Sequence, residues 1–475
     1  MSKSNKESKR LSMRWQIASI IVLLICVVII ISKLTGGSTN SKDVNTITSK
    51  KPNLKPTNEL LLEIPGTKNF PKYYYDAIGE FKAQYPNVKV TVKRVGEAND
   101  YPPKQYQTAL TNELMAGSGP DVIITDYFTS DLYKTMDTGA FLNMSSIIKG
   151  DKEFNMKDFN SVIMSAGDYK GGQYIIPLAY TAMVRVADQS GLNKIGFNID
   201  NVTNCTSFLQ EMSKSLPKAK GNPSFVGMFD WPMLDQMLES SGIPLVDEKS
   251  KTVLGHEDAI RAFCEAYQPL YKLDNNNDSS AYSGSDFDLF SQAIQPFGFT
   301  YWDSSWIVYW SLIKSKGDKP VLVVPTAEGG GVHASVTNGV AIRAGSPNQL
   351  NAWNFIKILL STKLQNMLPN KNFGFGYPIN NKALEQQLHS YLDGSMHWHI
   401  NKGDGEAELV DLSVLTTSDI ELFKKTIDGI KTCSLKCKPT ESLFLKCMEP
   451  YFKKENTLDS CIDDLKKQLK LYISE

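Results

Sequence analysis

Aromatic side chains beside carboxylates are the residues of this chain best suited to chemistry. Asp126 precedes Tyr127, Asp230 precedes Trp231 and Trp302 precedes Asp303, while Tyr180 and the run Tyr73 to Tyr75 supply further rings. A sugar offers apolar C–H faces that pack on flat rings, and hydroxyls that need carboxylates, amides and backbone groups. Ring-and-acid pairs are therefore what a carbohydrate cleft presents. A single aromatic serves equally well as packing. Trp302, Trp306 and Trp310 stand at i, i+4 and i+8, and a stripe with that spacing usually faces a core. Signals for catalysis are weak by comparison. His397 and His399 form the only close histidine pair, with no third ligand at a recognisable spacing. Gly329 to Gly331 lacks the following Lys and Ser or Thr of a phosphate loop. No two carboxylates stand out as the acid and base that glycoside hydrolysis needs. No catalytic residue, metal or cofactor is assigned, and binding without bond-making is expected.

These residues need elements to position them. ALTNELMAGSGPDVIITDY (Ala109 to Tyr127) reads as an amphipathic helix, with Ala109, Leu110, Leu114 and Met115 on one side, a Gly and Pro break, and a short apolar strand Val122 to Ile124. Such a continuous apolar run suits a parallel strand covered on both faces. It releases Asp126 and Tyr127 at the carboxyl edge of the sheet, the rim where open α/β folds bind small molecules. Upstream, Leu60 to Ile64 reads as a strand, 70–85 as a helix and Val88 to Val95 as a second strand, with Val88, Val90 and Val92 on one face. This alternation predicts an α/β fold with a parallel sheet.

FKAQYPNVKVTV (Phe81 to Val92), the Ala109 to Tyr127 segment, GDYKGGQYIIPLAYTAMVRV (Gly167 to Val186), PFGFTYWDSSW (Pro296 to Trp306), NGVAIRAGSPNQLNAWNFIKILLS (Asn338 to Ser361) and GFGYPINNKAL (Gly374 to Leu384) follow one another in a fixed order. The chain closes with EPYFKKENTLDSCIDDLKKQLKLYISE. In these segments it resembles the family 1 extracellular solute-binding proteins of ABC importers, the maltose-binding type. The resemblance implies a two-lobed periplasmic-binding-protein-like fold, each lobe a mostly parallel sheet flanked by helices, with the ligand cleft between them. It implies lobe one at 59–179 and 335–378, lobe two at 180–334 and 379–475, and closure by a hinge motion. It places Trp302 where the family has a ligand tryptophan in its second lobe, so Trp302 is expected at the ligand and Trp310 in packing. Asp126, Tyr127, Tyr180, Trp231 and Asp303 complete the expected ligand-binding set. The implied partners are a small polar solute, foremost a sugar or oligosaccharide, and a membrane permease, with the receptor a monomer. Another solute, such as a peptide or a metal chelate held by Tyr73 to Tyr75, remains open, as does a surface glycan enzyme or adhesion module. The chain departs from the family at MVRVADQSGL (Met183 to Leu192). There Arg185 either faces the cleft, where its planar fork could pair an acidic sugar or phosphate, or lies outward as a strand-edge charge.

The amino terminus supplies an address. Lys3, Lys6, Lys9, Arg10 and Arg14 make residues 1–15 a basic cytoplasmic segment ahead of the apolar run Ile17 to Ile31. Residues 16–33 are read as a signal anchor or signal-peptide core, slightly short of the ~20 residues that span a bilayer comfortably. An uncleaved anchor is favoured, since the small-residue pattern of a cleavage site is poor after Lys33. Cys26 lies inside the run rather than after a small-residue signal, so it is read as membrane filler and not as a lipidated residue. Residues 34–58 are too polar to fold and form a tether. The body beyond is placed on the outer face of the cytoplasmic membrane and is long enough for two cores, at about 100 to 200 residues per domain. With 51 Lys plus Arg against 51 Asp plus Glu, the chain as a whole has no basic excess to seek nucleic acid. Cys205, Cys264, Cys433, Cys437, Cys447 and Cys461 could form bridges in an oxidising exterior, but reduced thiols are favoured.

Overall fold

Leu60, Leu62 and Ile64 alternate along the first strand and are almost fully buried, which makes this strand the centre of the amino-terminal part of the sheet. The computed structural model describes residues 51–67, 70–96, 104–127, 131–218, 233–271, 297–301, 305–367, 376–393, 398–401, 407–435 and 438–474. The anchor segment 16–33 and most of the tether lie outside them. Strand β1 (Glu59–Pro65) pairs in parallel with β2 (Lys89–Val95) on one side and β3 (Val122–Ile124) on the other. Helix α1 (Lys72–Gln84) begins after Pro71 and buries Tyr73, Tyr74, Ala77, Ile78 and Phe81, the spacing of a single apolar stripe. Helix α2 (Lys104–Met115) buries Tyr106, Leu110 and Leu114. Met115, expected on the same face, is 83% exposed, because the core contact ends one residue earlier and Gly117 turns the chain at φ 72°. A short helix α3 (Leu132–Asp137) is capped by the Asp131 carboxylate, which accepts from the backbone N–H groups of Tyr133 and Lys134.

Two long strands organise the rest: β4 (Ile176–Asp188), and β7 (Val332–Ile342). β7 runs antiparallel to both β3 and β4. The far half of β4 pairs with β5 (Phe297–Tyr301) and with β6 (Pro320–Val323), both antiparallel. The short β8 (Tyr377–Pro378) joins β4 at Tyr180 and Ala179, and β9 (Ile430–Leu435) runs parallel to β7. The product is one nine-stranded mixed sheet. Its strands β1 to β3 are parallel, as the strand and helix alternation predicts, β9 adds a second parallel pairing on β7, and antiparallel pairings enter with the long strands β4 and β7.

Two cores form at opposite ends of this sheet. Against β1, Phe81 of α1 meets Phe355 of α8 (Gln349–Leu359) edge-on. At the other end, α4 (Cys205–Ser215), α5 (Met233–Ser241), α6 (Glu257–Tyr267) and the last two helices, α10 (Lys438–Phe452) and α11 (Leu458–Ser474), share an apolar cluster that includes Phe208, Phe263, Phe444 and Leu465. Between them, Trp306 and Trp310 of α7 (Ser305–Ser315) pack on Phe423 of α9 (Thr417–Asp428). The Trp310 indole N–H donates to Asp419 at 2.9 Å, and Asp419 also takes Lys314 at 2.7 Å and caps α9 through Thr416. Trp310 is thus a core ring, whereas Trp302 lies outside the described residues. Cys205, Cys264, Cys433, Cys447 and Cys461 are free thiols, and burial raises each thiol pKa. Cys437 lies outside the described residues.

Candidate functional site

Paired residues of adjacent strands project to the same face of a sheet, and neighbours along a strand project to opposite faces. In β7, Ser335 pairs with Thr181 of β4 and with Ser434 of β9, so three hydroxyl side chains line up across three strands. One register step away His333 pairs with Thr432. The His333 ring nitrogens reach Thr432 Oγ1 at 2.8 Å and Ser434 Oγ at 3.1 Å. Burial pushes the imidazole pKa down against the opposing pull of the Glu239 carboxylate, so His333 is neutral at pH 7. Helix α5 covers this row with Gln236, Glu239 and Ser240, which share one face at i, i+3 and i+4. The cavity between them is about 10 Å³, room for one water molecule, and Gln236 Oε1 has no hydrogen-bond partner among the described residues. Hydroxyls, an amide, a neutral imidazole and a carboxylate thus converge on one polar floor.

Asp126 marks the edge of that floor. The register of β7 slips after Val336, which faces Tyr180, so that Asn338 faces Ala179 and turns onto the face of Thr181. Asp126 Oδ2 accepts from Asn338 Nδ2 and from the Tyr74 hydroxyl, both at 2.6 Å, and Oδ1 accepts from the Gly339 backbone N–H at 3.1 Å. Glycine at 339 allows this close approach, because a Cβ there would stand 2.9 Å from Thr125 Oγ1 and 3.0 Å from Ile175 Cγ2 and those side chains would have to give way. Burial drives the Asp126 carboxyl up to about 6, and the three neutral donors only partly offset it.

The other predicted residues fall in different places. Tyr127 follows Asp126 in the turn Thr125–Tyr127, and its side chain lies outside the described set, as do Trp231, Trp302 and Asp303. Tyr180 alternates away from Thr181, is fully buried and packs against Tyr377 at 6.4 Å between ring centroids. It is therefore apart from the polar row. Tyr73 donates to the Leu359 carbonyl and Tyr74 to Asp126, both rings being buried, so this pair is committed to packing rather than free to hold a ferric ion. Arg185 is 2% exposed within β4 beside Phe299 and Val323, not an outward strand-edge charge. The pair His397 and His399 lies outside the described side chains. Among the described residues no group of three or more His, Cys, Asp or Glu is placed to hold a metal.

Thr181, His333, Ser335, Ser434 and Gln236 escape a sequence reading. In β7 and β9 small polar residues alternate with Ala334, Val336, Cys433 and Leu435, which is the period of an ordinary half-exposed strand. Only the layer supplied by α5 shows that the polar side is enclosed.

Known proteins share this architecture. An ABC substrate-binding protein of Listeria monocytogenes, solved with cycloalternan, superposes with a TM-score of 0.55 at 14% identity over 88% of this chain and 99% of that one. The GacH receptor of Streptomyces glaucescens, solved unliganded and with acarbose, gives 0.53 at 16% identity over 89% and 100%. A periplasmic oligogalacturonide binding protein of Yersinia enterocolitica gives 0.56 at 15% identity over 88% and 99%. The fold is accordingly that of the two-lobed periplasmic binding proteins. The family model described as bacterial extracellular solute-binding protein matches residues 65–366, more than half of the sequence, and the chain belongs to that family of solute-binding proteins.

Proposed function

We propose that this protein is the extracytoplasmic receptor of an ABC importer, that its solute is an oligosaccharide, and that closure of two lobes captures it. The observation that carries the reading is the polar floor where β4 and β7 cross, with the Asp126 carboxylate at its edge. Hydroxyl, amide and carboxylate groups in one row are the partners that sugar hydroxyls require, and the row, closed in this structure by α5 to the volume of one water, takes the solute when α5 withdraws. Two architectural neighbours solved with cycloalternan and acarbose, and a third named for oligogalacturonide binding, support the same solute class. In this reading Asp126 and Tyr127 contribute the lobe-one rim. Trp231, Trp302 and Asp303 contribute rings and an acid from lobe two, and Tyr180 backs the floor from behind. The lobes are 59–179 with 335–378, and 180–334 with 379–475. Residues 16–33 anchor the receptor to the cytoplasmic membrane, and a separate permease receives the solute.

A thermal-shift screen of the purified protein in mild detergent tests this. Neutral oligosaccharides, uronic-acid oligosaccharides, peptides, polyamines and metal salts would each be added in excess. A ligand that binds only the folded state must raise the melting temperature. The expected result is a rise with oligosaccharides, and a rise confined to peptides, polyamines or metals would overturn the sugar reading.

A further inference from the structure

Two tight hairpins, nearly eighty residues apart in the chain, each hold a lysine in a backbone conformation that side chains avoid, and both lysines reach the same carboxylate. In the first, Asp168 and Tyr169 pair with Gln173 and Gly172, leaving Lys170 and Gly171 as a two-residue loop with φ of 46° and 80°. Positive φ at both loop positions is the mark of a type I′ turn, whose twist suits a hairpin. In the second, Val246 and Asp247 pair with Val253 and Thr252, and Lys251 sits at φ 54° in the loop between them. The Asp247 carboxylate accepts from the N–H groups of Lys249 and Ser250 and holds that loop in shape.

Asp137, the last residue of α3, is where they meet. Lys170 Nζ lies 2.7 Å from Asp137 Oδ1, and Lys251 Nζ lies 3.0 Å from Oδ2. The Tyr169 hydroxyl is 2.9 Å from Asp137 Oδ1 and 3.2 Å from the Glu248 carbonyl oxygen. The carboxyl-terminal helix closes the group: the Tyr472 hydroxyl lies between Asp131 and Glu248, 2.8 Å from Glu248 Oε1, and the Lys134 ammonium sits 4.5 Å over the Tyr472 ring. Burial pushes the Asp137 carboxyl up, but Lys170, Lys251 and Tyr169 outweigh it and hold the group below its ordinary range.

We propose that this cluster is a clasp between the lobes that holds them in the arrangement of this structure, with Asp137 as its centre. The inference rests on the lobe boundaries given above: Asp131, Lys134, Asp137, Tyr169 and Lys170 belong to lobe one, and Glu248, Lys251 and Tyr472 to lobe two. Asp137 and the two lysines each keep about a quarter or more of their side-chain surface in solvent. Partly exposed pairs of this kind are weak enough to break at thermal energies and are screened by salt. That combination suits a contact that sets a balance between two lobe arrangements better than one that builds a core.

The test is single-molecule energy transfer on the full chain in detergent, with dyes attached through non-natural residues at the exposed positions Lys89 and Lys467. Asp137→Asn removes the shared charge. Lys251→Gly removes one ammonium while placing glycine where positive φ is free of strain, so the hairpin itself is retained. Each variant should shift the ratio of the two distance populations away from the parent's major one by roughly two- to fivefold, the range for a partly exposed ion pair. High salt should do the same to the parent and less to the variants. Exchange between two distances in the parent, with both variants unchanged, would overturn the clasp and leave the moving lobes standing. One fixed distance in parent and variants alike would overturn both the clasp and the lobe motion beneath it.

Discussion

Strands β4 and β7 have two faces of opposite character. On one, Tyr180, Val336 and Tyr377 pack behind the strands, and Trp306 donates its indole N–H to the Tyr377 hydroxyl. On the other, Thr181, Ser335, Ser434 and His333 form a row of polar groups under α5. Strand alternation separates the two by a single residue, since Tyr180 and Thr181 are neighbours. The apolar face resists change because it is a packed interior. The polar face carries groups whose hydrogen bonds an arriving solute could share. Rigid support behind and adaptable polarity in front is what a small-molecule floor needs.

The comparison can be broken most forcefully from the packed side. Trp306 is fully buried, so Trp306→Ala is expected to cost ~3 to 5 kcal/mol of stability, with solute affinity kept in whatever fraction stays folded. Chemical denaturation and titration together would check this. A loss of affinity without a loss of stability would show that the two faces are not separate.

A smaller effect probes the edge of the polar face. Asp126 titrates at about 6 in the fold against an ordinary value near 4. Between those values the folded state holds a proton that the unfolded chain has lost. Stability therefore falls as pH rises through that window and levels off above it, a contribution of up to about 3 kcal/mol. Asp126→Asn mimics the protonated acid: its amide oxygen keeps the bond from the Gly339 N–H, and its amide N–H can donate to the Tyr74 hydroxyl. It should be about 1 to 3 kcal/mol more stable than the parent at pH 8, with the difference vanishing near pH 4. Denaturation curves at the two values would decide, and a difference independent of pH would contradict the burial account.

The smallest effect separates neighbours. The Tyr180 hydroxyl is buried without a hydrogen-bond partner among the described residues, so Tyr180→Phe should be neutral or stabilising by up to about 1 kcal/mol. A marked loss of stability would mean that this hydroxyl has a role the packing does not reveal.

Much of this arrangement was legible in the sequence, and the part that was not has a physical reason. The strand at Val122 to Ile124 and the release of Asp126 at its end follow from local pattern alone, because a short apolar run bounded by Gly, Pro and Asp has few other readings. Trp310 as packing follows from helical spacing, and it is 4% exposed. Tyr180 belongs to the ligand set that the family resemblance implies, yet the face a strand residue takes depends on register with β7 and β8, which no local pattern specifies. Ser335 and Ser434 lie 99 residues apart and meet only through strand pairing. The slip after Val336 that turns Asn338 toward Asp126 is likewise set by tertiary pairing. Arg185 illustrates the same limit, since a charge near the end of a strand reads as exposed until the strands on either side are known.

The most direct test is a calorimetric titration of the oligosaccharide that gives the largest thermal shift, comparing the parent with Ser335→Ala. Ser335 stands at the centre of the three-strand polar row and is 3% exposed, and removing its hydroxyl leaves the backbone pairing of β7 intact. The account predicts binding weakened by roughly tenfold, the equivalent of about 1.4 kcal/mol, with a melting temperature close to the parent's. An unchanged dissociation constant in Ser335→Ala would contradict it and move the solute away from the crossing strands.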